Sequence, residues 1–468
     1  MKKTKIICSI GPASSSVDIM EQLVNNGMNV ARINFSHATL EEKETVIGTI
    51  KEVRKRTGKT IAILYDTKGP DFRTGMLKTE FINLIEGNTI TITKDNILGT
   101  PKRITVNYKD VLDDIPIGNK ILLEDGLLEL KVIEKTKNND LVCKIINGGK
   151  LGHKKGINVP GIKLNIPFLS EQDIQDIRYA CQNEGDFIAV SFVEDKAGLL
   201  QVKQILAEEN RSDMQVISKV ESSVAIENID EIIEHSEGIM VARGDLGVEV
   251  PVYEVPFLQK MIIKKCRKMC KFVIVATEML ASMTEKARPT RAEATDIATA
   301  VLDGTDAVML SGETTTGKHP VQAVKYMSEI VENAEKHFEY QPNYNKDSSL
   351  SITEVIAKTV VKSVFKLDAK LIIIPVFSGY SARIISNLVP LCPILAICPN
   401  EGVARQLILN HGVYPVVHNK KHCFHNIMEN AKKEAVAFAN LKPKDIIIIA
   451  GGFSKDTSFT NLMKIEEI

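Results

Sequence analysis

Eight short apolar segments recur along the chain, and each of them ends in polar residues or glycine. They are residues 5–10, 29–35, 61–66, 187–192, 216–220, 238–242, 272–276 and 307–310. Helical patterns lie between them, for example at 17–26, 197–209 and 255–269. Continuous apolar runs that alternate with helices are typical of buried parallel strands in β/α units. Eight such strands predict a (β/α)8 barrel.

The connection from residue 66 to residue 187 is far too long for one β/α unit. It contains runs of alternating polar and apolar residues, separated by turn residues, at 89–93, 103–106, 120–123 and 127–134. This pattern predicts a small β-rich domain inserted after the third strand, and we expect this domain to be a small β-barrel. An insertion at that point lies over the face of the barrel where active sites form, so we expect it to act as a lid.

A polar stretch at 342–349 precedes a second region of β/α pattern. We predict strands there at 371–376, 394–398 and 445–450, and helices at 353–366, 381–388 and 427–440. The expected division of the chain is a barrel (1–69 and 166–345), an inserted lid (70–165) and a C-terminal α/β regulatory domain (346–468). The length of 468 residues fits about three domains.

Charge and cysteine usage exclude several classes of partner. Lys plus Arg equals Asp plus Glu at 59 each, so no global field recruits nucleic acid or a membrane surface. No apolar stretch approaches the roughly 20 residues of a membrane span. The eight cysteines form no Cys-x-x-Cys pair, which predicts reduced thiols in a cytoplasmic protein.

Polar side chains cluster where the barrel strands end, which is where barrel enzymes carry their chemistry. Glu221 and Asp245 lie one β/α step apart, so adjacent strands would bring both carboxylates to one edge. Two carboxylates with open positions suit Mg²⁺ or Mn²⁺. Lys219 lies two residues before Glu221 and therefore on the same face of the strand, where it could clamp a phosphoryl group. The alternative is a network of ion pairs that closes the mouth of the barrel.

Other strand ends add weaker signals. Arg32 and Arg73 follow neighbouring strands and could grip a polyphosphate, although structural ion pairs explain them equally well. Gly244 would let the backbone approach a ligand closely, and His37 fits either a ligand contact or a structural hydrogen bond. One carboxylate among uncharged oxygens resembles a monovalent-cation site; this set comprises Asn34, Ser36, Asp66 and Thr67.

A further candidate site lies in the C-terminal region. A predicted strand, a loop of small residues and a helix start bring together Ser378, Gly379, Tyr380 and Ser381. Backbone N–H groups at such a helix start suit a phosphate. The alternative is an ordinary β/α turn that Ser381 caps. Ser454 and Lys455, in the last loop of the chain, offer further donors.

Several long motifs follow one another along the chain in a fixed order. They are Asn-Val-Ala-Arg-Ile-Asn-Phe-Ser-His at 29–37, Asp-Thr-Lys-Gly-Pro-Asp-Phe-Arg-Thr-Gly at 66–75, Ile-Ser-Lys-Val-Glu at 217–221, Met-Val-Ala-Arg-Gly-Asp-Leu-Gly-Val-Glu at 240–249 and Met-Leu-Ser-Gly-Glu-Thr at 309–314. In these motifs and their order the chain resembles the pyruvate kinase family, and the resemblance covers the barrel, the insertion and the C-terminal region. It implies transfer of a phosphoryl group from phosphoenolpyruvate to ADP, in a homotetramer.

The resemblance also implies a role for each matching residue. Glu221 and Asp245 match Mg²⁺ ligands, and Asn34, Ser36, Asp66 and Thr67 match K⁺ ligands. Catalytic positions match Lys219, Thr277 and Arg73. Substrate contacts match Arg32, Lys219, Gly244, Asp245 and Thr277, and nucleotide contacts match Arg32, His37, Arg73 and Lys155. The loop at 378–381 matches a site where related enzymes bind sugar phosphates, so we expect a sugar phosphate or nucleotide effector there.

Some positions depart from the family pattern. Asp71 stands where glutamate is usual, Glu278 where glutamine is usual, and the last loop lacks its usual glycines. Two rival functions remain at this point. A metal-dependent 2-oxo acid aldolase also holds Mg²⁺ by Glu and Asp at barrel strand ends, but needs neither Lys219 nor the lid. A catalytically silent metabolite sensor should have lost Lys219 or a metal ligand.

Overall fold

Eight parallel strands close into a barrel in which Lys5 of the first strand pairs with Ala307 of the last. The structure, a computed structural model, describes residues 1–36, 39–70, 72–338, 350–418, 435–436, 438–452 and 460–468. The barrel strands are Lys5–Ser9, Val30–Asn34, Ala62–Asp66, Phe187–Val190, Gln215–Val220, Gly238–Ala242, Phe272–Ala276 and Ala307–Leu310. These are the eight predicted segments to within a few residues, so the predicted fold class is confirmed.

Helices surround the barrel and start at strong capping signals. Thr39 and Glu42 form a reciprocal capping box, as do Ser170 and Asp173. Aromatic rings fill part of the barrel interior, where Phe187 and Phe272 meet edge to face. The helices are Val17–Asn25, Leu40–Thr57, Glu171–Gln182, Lys196–Glu208, Ser223–Glu227, Ile229–His235, Arg243–Glu249, Val255–Lys268, Arg291–Leu302, Gly312–Thr315 and Pro320–Glu335, with a 3-10 turn at Ala281–Thr284.

The insertion folds as two β-sheets around one apolar core, and we call it the lid. The larger sheet has the strand order Ile157–Asn158, Lys120–Leu123, Leu128–Lys135, Leu141–Asn147, Thr89–Thr93 and Arg103–Thr105. The smaller sheet pairs Phe81–Leu84 with Gly149–Gly152. The alternating pattern did not predict either strand of the smaller sheet, nor the strands Leu141–Asn147 and Ile157–Asn158. A 3-10 turn spans Asp110–Asp113.

The C-terminal domain is a sheet covered by helices. Its strands run in the order Val413–Val417, Ile394–Cys398, Leu371–Pro375, Ile446–Gly451 and Leu462–Glu467, the last of them antiparallel. Its described helices include Ile352–Leu367, Tyr380–Asn387 and Glu401–Leu407. The predicted helix at 427–440 falls mainly outside the described residues. None of the described helices is both long and apolar enough to cross a membrane.

The C-terminal domain docks at the end of the barrel where the strands begin. The Lys5 ammonium donates to the carbonyl of Val413 at 2.6 Å, and Arg405 Nε donates to Asp186 Oδ1 at 2.8 Å. Lys5 opens the first strand and Asp186 precedes the fourth, so both contacts lie at the strand N-termini. The opposite end of the barrel, where the strands finish, faces the lid.

Candidate functional site at the mouth of the barrel

Lys219 is the centre of an ionic cluster at the mouth of the barrel. Its Nζ lies 2.9 Å from Glu221 Oε1 and 3.1 Å from Asp66 Oδ1, and it donates to Ser191 Oγ at 2.7 Å. Arg32 Nε donates to Asp66 Oδ2 at 2.7 Å. Burial acts to lower the pKa of Lys219, but Asp66 and Glu221 outweigh it and raise that pKa above its ordinary value. Lys219 therefore carries a fixed positive charge into the cleft.

Glu221 and Asp245 lie at the ends of neighbouring strands. Glu221 is ion-paired with Lys219, which it shares with Asp66, so the nearby positive charge does not neutralise both carboxylates. Glu221 is buried and accepts from the Phe192 amide at 2.7 Å, whereas Asp245 reaches solvent in the cleft. Burial raises the pKa of Glu221 to about 7; Lys219 opposes this shift and Asp245 adds to it. Desolvation within the cleft also raises the pKa of Asp245, and Lys219 opposes this shift.

This donor set fits Mg²⁺ or Mn²⁺, because a divalent cation would neutralise two crowded carboxylates with the hard oxygen ligands that it prefers. Within the described ranges, no group of three or more His, Cys, Asp and Glu side chains is placed to hold a metal. The two carboxylates would therefore need further oxygens from a substrate or from water. A site left open in this way suits a metal that binds its substrate directly.

The structure also brings together the four residues that resemble K⁺ ligands. Asn34 and Asp66 are partners in the register of adjacent parallel strands, and Thr67 follows Asp66 directly. The Asn34 side chain accepts from the Ser36 amide at 3.0 Å. Asp66 Oδ1 is buried and is ion-paired with Lys219 at 3.1 Å. One carboxylate beside several uncharged oxygens fits a monovalent cation better than a divalent one.

Thr277 is held in a strained backbone conformation. It follows the strand Phe272–Ala276 with φ of +66°, a region that β-branched residues rarely adopt. The Gly244 amide donates to Thr277 Oγ1 at 2.8 Å, and Arg243 Nη2 donates to the Thr277 carbonyl at 2.8 Å. Arg243 is itself fixed by Asp296, 2.7 Å away. Strain that neighbours fix in this way is typical of active sites.

Arg73 and Lys155 lie at the base of the lid. Arg73 pairs with Gly156 in an isolated bridge and donates from Nη1 to the Lys154 carbonyl at 2.8 Å. Lys155 Nζ lies 2.7 Å from Glu124 Oε1. Arg73 follows the barrel strand next to that of Arg32, but it lies several residues beyond the strand end, where the chain has already entered the lid. The two arginines thus come from different walls of the cleft.

Several expected site residues lie elsewhere or outside the described residues. His37, Asp71, Ser454 and Lys455 belong to the latter group. The loop of Ser378, Gly379, Tyr380 and Ser381 lies in the C-terminal domain, which docks at the opposite end of the barrel from the mouth. This loop is therefore separate from the ionic cluster. Glu278, by contrast, lies beside Thr277 at the mouth of the barrel, with φ of +54° and an exposed side chain.

Sequence reasoning missed three residues that hold the cluster in place. Ser191 and Ser9 contribute hydroxyls to Lys219 and Arg32, at 2.7 Å in both cases. Arg243 fixes Thr277 through its guanidinium. A signal existed for each of them, since Ser9 ends one apolar strand, Ser191 follows another, and Arg243 precedes Gly244. Serine at a strand end is common, however, and only the packed structure shows which serines point inward.

Two family models match nearly the whole chain. The model described as "Pyruvate kinase, barrel domain" matches residues 1–324, and "Pyruvate kinase, alpha/beta domain" matches residues 354–466. The chain belongs to the pyruvate kinase family. A pyruvate kinase of Geobacillus stearothermophilus is 44% identical over 472 residues, which cover 100% of this chain and 80% of that protein. For a pyruvate kinase of Bacillus licheniformis the identity is 43%, with 99% and 80% covered.

A solved structure agrees with this membership. The crystal structure of a pyruvate kinase from Cryptosporidium parvum superposes with a TM-score of 0.95 at 38% identity, over 100% of this chain and 96% of that one. Membership of the pyruvate kinase family excludes the aldolase alternative, and the presence of Lys219, Glu221 and Asp245 argues against a catalytically silent sensor. The chain is an enzyme that transfers the phosphoryl group of phosphoenolpyruvate to ADP.

Proposed function

We propose that Lys219 is the residue that neutralises the negative charge of the phosphoryl group in the transition state of its transfer. The observation that carries this proposal is its position between Asp66 and Glu221, with Nζ within 3.1 Å of both carboxylates. Phosphoryl transfer depends on positioning and charge neutralisation more than on covalent chemistry. A fixed ammonium beside the metal ligands meets that requirement, and Arg73 adds a second positive charge from the lid.

Glu221 and Asp245 hold Mg²⁺ or Mn²⁺ in this proposal, and ADP binds as its magnesium complex. When bound, the metal supplies a Lewis acid that polarises the transferring group and stabilises the enolate of pyruvate. Arg32, Lys219, Gly244 and Asp245 orient phosphoenolpyruvate. Arg32, His37, Arg73 and Lys155 bind the nucleotide. Charged groups from the barrel and the lid would thus meet at the phosphoryl group.

Thr277 lies where the enolate takes up a proton. Its hydroxyl accepts from the Gly244 amide and donates to the Ala276 carbonyl at 2.6 Å, so its orientation is fixed. The proton reaches carbon through water near this hydroxyl. Closure of the lid over the mouth excludes bulk water, which would otherwise intercept the phosphoryl group.

We expect turnover to require K⁺ bound by Asn34, Ser36, Asp66 and Thr67. Family members that work without K⁺ tend to carry a lysine near the cation site, and its ammonium can replace the ion. This chain has Asp71 at that position, and a carboxylate cannot replace a cation. The test compares ATP formation from phosphoenolpyruvate, ADP and Mg²⁺ in K⁺ with that in tetramethylammonium at equal ionic strength. Activity should fall to a small fraction without K⁺. Full activity in tetramethylammonium would contradict the site, and inactivity in both buffers would contradict the proposed function.

The effector site is a separate proposal and is supported by the loop at 378–381. Gly379 has φ of +83° and precedes the helix Tyr380–Asn387, so backbone N–H groups are presented beside Ser381. Thr460, the residue after the loop that contains Ser454 and Lys455, donates to Ser381 Oγ. This contact brings the described residue Thr460 to Ser381, whereas Ser454 and Lys455 lie outside the described residues. We propose that a sugar phosphate or a nucleotide monophosphate binds between the two loops.

Effector binding should raise the affinity for phosphoenolpyruvate, with a coupling free energy of about 1–3 kcal/mol. Calorimetry with fructose 1,6-bisphosphate, ribose 5-phosphate, glucose 6-phosphate and AMP tests the wild type and Ser381→Asp. The added negative charge should abolish binding of an anion. Thr460→Val is the control, because it removes the hydroxyl partner of Ser381 without adding charge. Binding of none of the four, or binding unchanged in Ser381→Asp, would refute the site.

Assembly and location are also proposals. Large apolar side chains stand exposed around the start of the helix Val255–Lys268, with Val252, Tyr253 and Phe257 between 73% and 75% exposed. A patch of this kind supports burial in an interface of the proposed homotetramer. The described cysteines form no disulfide, which supports the expected cytoplasmic location.

A further inference from the structure

The arm through which the chain returns from the lid to the barrel, residues 157–163, is fastened to the barrel by three contacts. Asn158 Nδ2 donates to Glu249 Oε1 at 3.0 Å. The Gly161 amide donates to Ser223 Oγ at 3.1 Å, and Lys163 Nζ lies 2.7 Å from Asp195 Oδ2. The first contact joins the arm to the helix Arg243–Glu249, whose first turn carries Gly244 and Asp245.

On the lid side of this contact, Asn158 lies close in sequence to Lys155, a proposed nucleotide-binding residue. Asn158 follows Lys155 by three residues, and it pairs with Leu122 in a regular antiparallel ladder. Lys155 in turn is ion-paired with Glu124, which directly follows the strand Lys120–Leu123. Gly156, between Lys155 and this short ladder, accepts from the Glu124 amide at 3.1 Å, so the position of Asn158 constrains where the Lys155 backbone lies.

The environment of Glu249 shows that a donor is needed there. Its carboxyl is half-buried, and burial raises its pKa to about 6; Asn158 opposes this shift and the nearby Glu194 adds to it. Glu194 itself is a half-buried carboxylate whose partners include Ser222, 3.4 Å away. A carboxylate in such surroundings depends on the Asn158 amide, since an unpaired buried acceptor is costly.

We propose that Asn158 and Glu249 are positioning residues that align the nucleotide-binding arm of the lid with the helix that bears Asp245. This inference rests on the roles proposed above for Lys155 and Asp245. The hydrogen bond does not touch substrate. It sets the distance between the lid arm and the helix Arg243–Glu249. A nucleotide bound by Lys155 is thereby held in the reactive orientation relative to Asp245.

Single variants Asn158→Ala and Glu249→Ala should each lower kcat/KM for ADP about tenfold, which corresponds to the loss of one hydrogen bond to a charged group. KM for phosphoenolpyruvate should change little, because the barrel supplies most of its proposed contacts. The double variant should be no worse than either single variant, since one interaction is lost in all three. Glu249→Gln keeps an acceptor oxygen and should recover most of the activity.

Lys163→Ala is the matched control, because it breaks an exposed ion pair on the same arm, a kind of contact that contributes little. A second readout uses the absence of tryptophan from the sequence. Leu127→Trp places a single fluorophore on the lid beside Gly126, which faces Val248 of the same helix. Its fluorescence change on adding Mg-ADP should shrink in Asn158→Ala and persist in Lys163→Ala.

Additive losses in the double variant would overturn the inference. So would equal losses for both substrates accompanied by a lower melting temperature, since that result describes a merely structural contact. Wild-type kinetics in both single variants would also refute it, while leaving the proposed function intact. If the wild type itself failed to transfer phosphoryl groups, the proposed function would fail, and the fluorescence response would still report on the Asn158–Glu249 contact.

Discussion

Replacing Lys219 by alanine should lower kcat by about 10³-fold or more, with little change in KM for phosphoenolpyruvate. The ammonium is proposed to interact most strongly with the charge that develops during transfer, so its loss affects the transition state more than the bound substrate. Steady-state kinetics at saturating Mg²⁺ and K⁺ separate the two parameters. Near wild-type turnover would remove Lys219 from the mechanism.

The buried position of Lys219 requires a folding control. Its removal leaves Glu221 with the Phe192 amide and Asp66 with Arg32, so part of the cluster stays satisfied. Lys219→Met keeps most of the side-chain length without the ammonium and should lose as much activity as the alanine variant. Both variants should retain Mn²⁺ binding and a cooperative thermal transition. A loss of activity that merely tracks unfolding would count against the proposed role.

The second large effect concerns the metal. Glu221→Gln and Asp245→Asn should each weaken Mn²⁺ binding by at least about tenfold, because each variant removes one of two anionic ligands. Turnover at fixed metal concentration should fall with the affinity. Titration followed by the paramagnetic resonance signal of free Mn²⁺ measures the affinity directly, without reference to catalysis.

Glu194→Gln is the matched control for these variants. Glu194 is a half-buried carboxylate whose pKa is raised by burial, as for Glu221, but it is not a proposed ligand. Its neutralisation should leave Mn²⁺ affinity within about twofold of wild type, because a nearby charge acts more weakly than a ligand. Unchanged affinity in both Glu221→Gln and Asp245→Asn would place the metal elsewhere.

The barrel could be predicted from the sequence because its strands are buried on both sides. Segments such as Phe272–Ala276 and Ala307–Leu310 are continuously apolar, and their ends are marked by polar residues. The lid was predicted less completely. Gly149–Gly152 contains two glycines among its four residues, and Ile157–Asn158 is only two residues long. Such short strands form because neighbouring strands pair with them, and the local sequence pattern cannot reveal that pairing.

The same limit applies to the candidate site. Lys219, Glu221 and Asp245 could be singled out because strand spacing and strand adjacency place them together. The strain at Thr277 could not, since it depends on Arg243 and on the Gly244 amide, which reach it through the folded chain. The link between Asn158 and Glu249 joins residues 91 positions apart in two domains, and no motif spacing predicts it.

A single-turnover experiment tests the central claim most directly, namely that phosphoryl transfer takes place at the cluster around Lys219. Wild type and Lys219→Ala are loaded with phosphoenolpyruvate, Mg²⁺ and K⁺, mixed rapidly with ADP and quenched with acid. We predict one ATP and one pyruvate per site in the wild type, and in the variant a transfer rate lower by about 10³-fold or more at equal substrate occupancy. A variant rate within about tenfold of wild type would contradict the account, because so small a change is no more than the loss of an ordinary hydrogen bond.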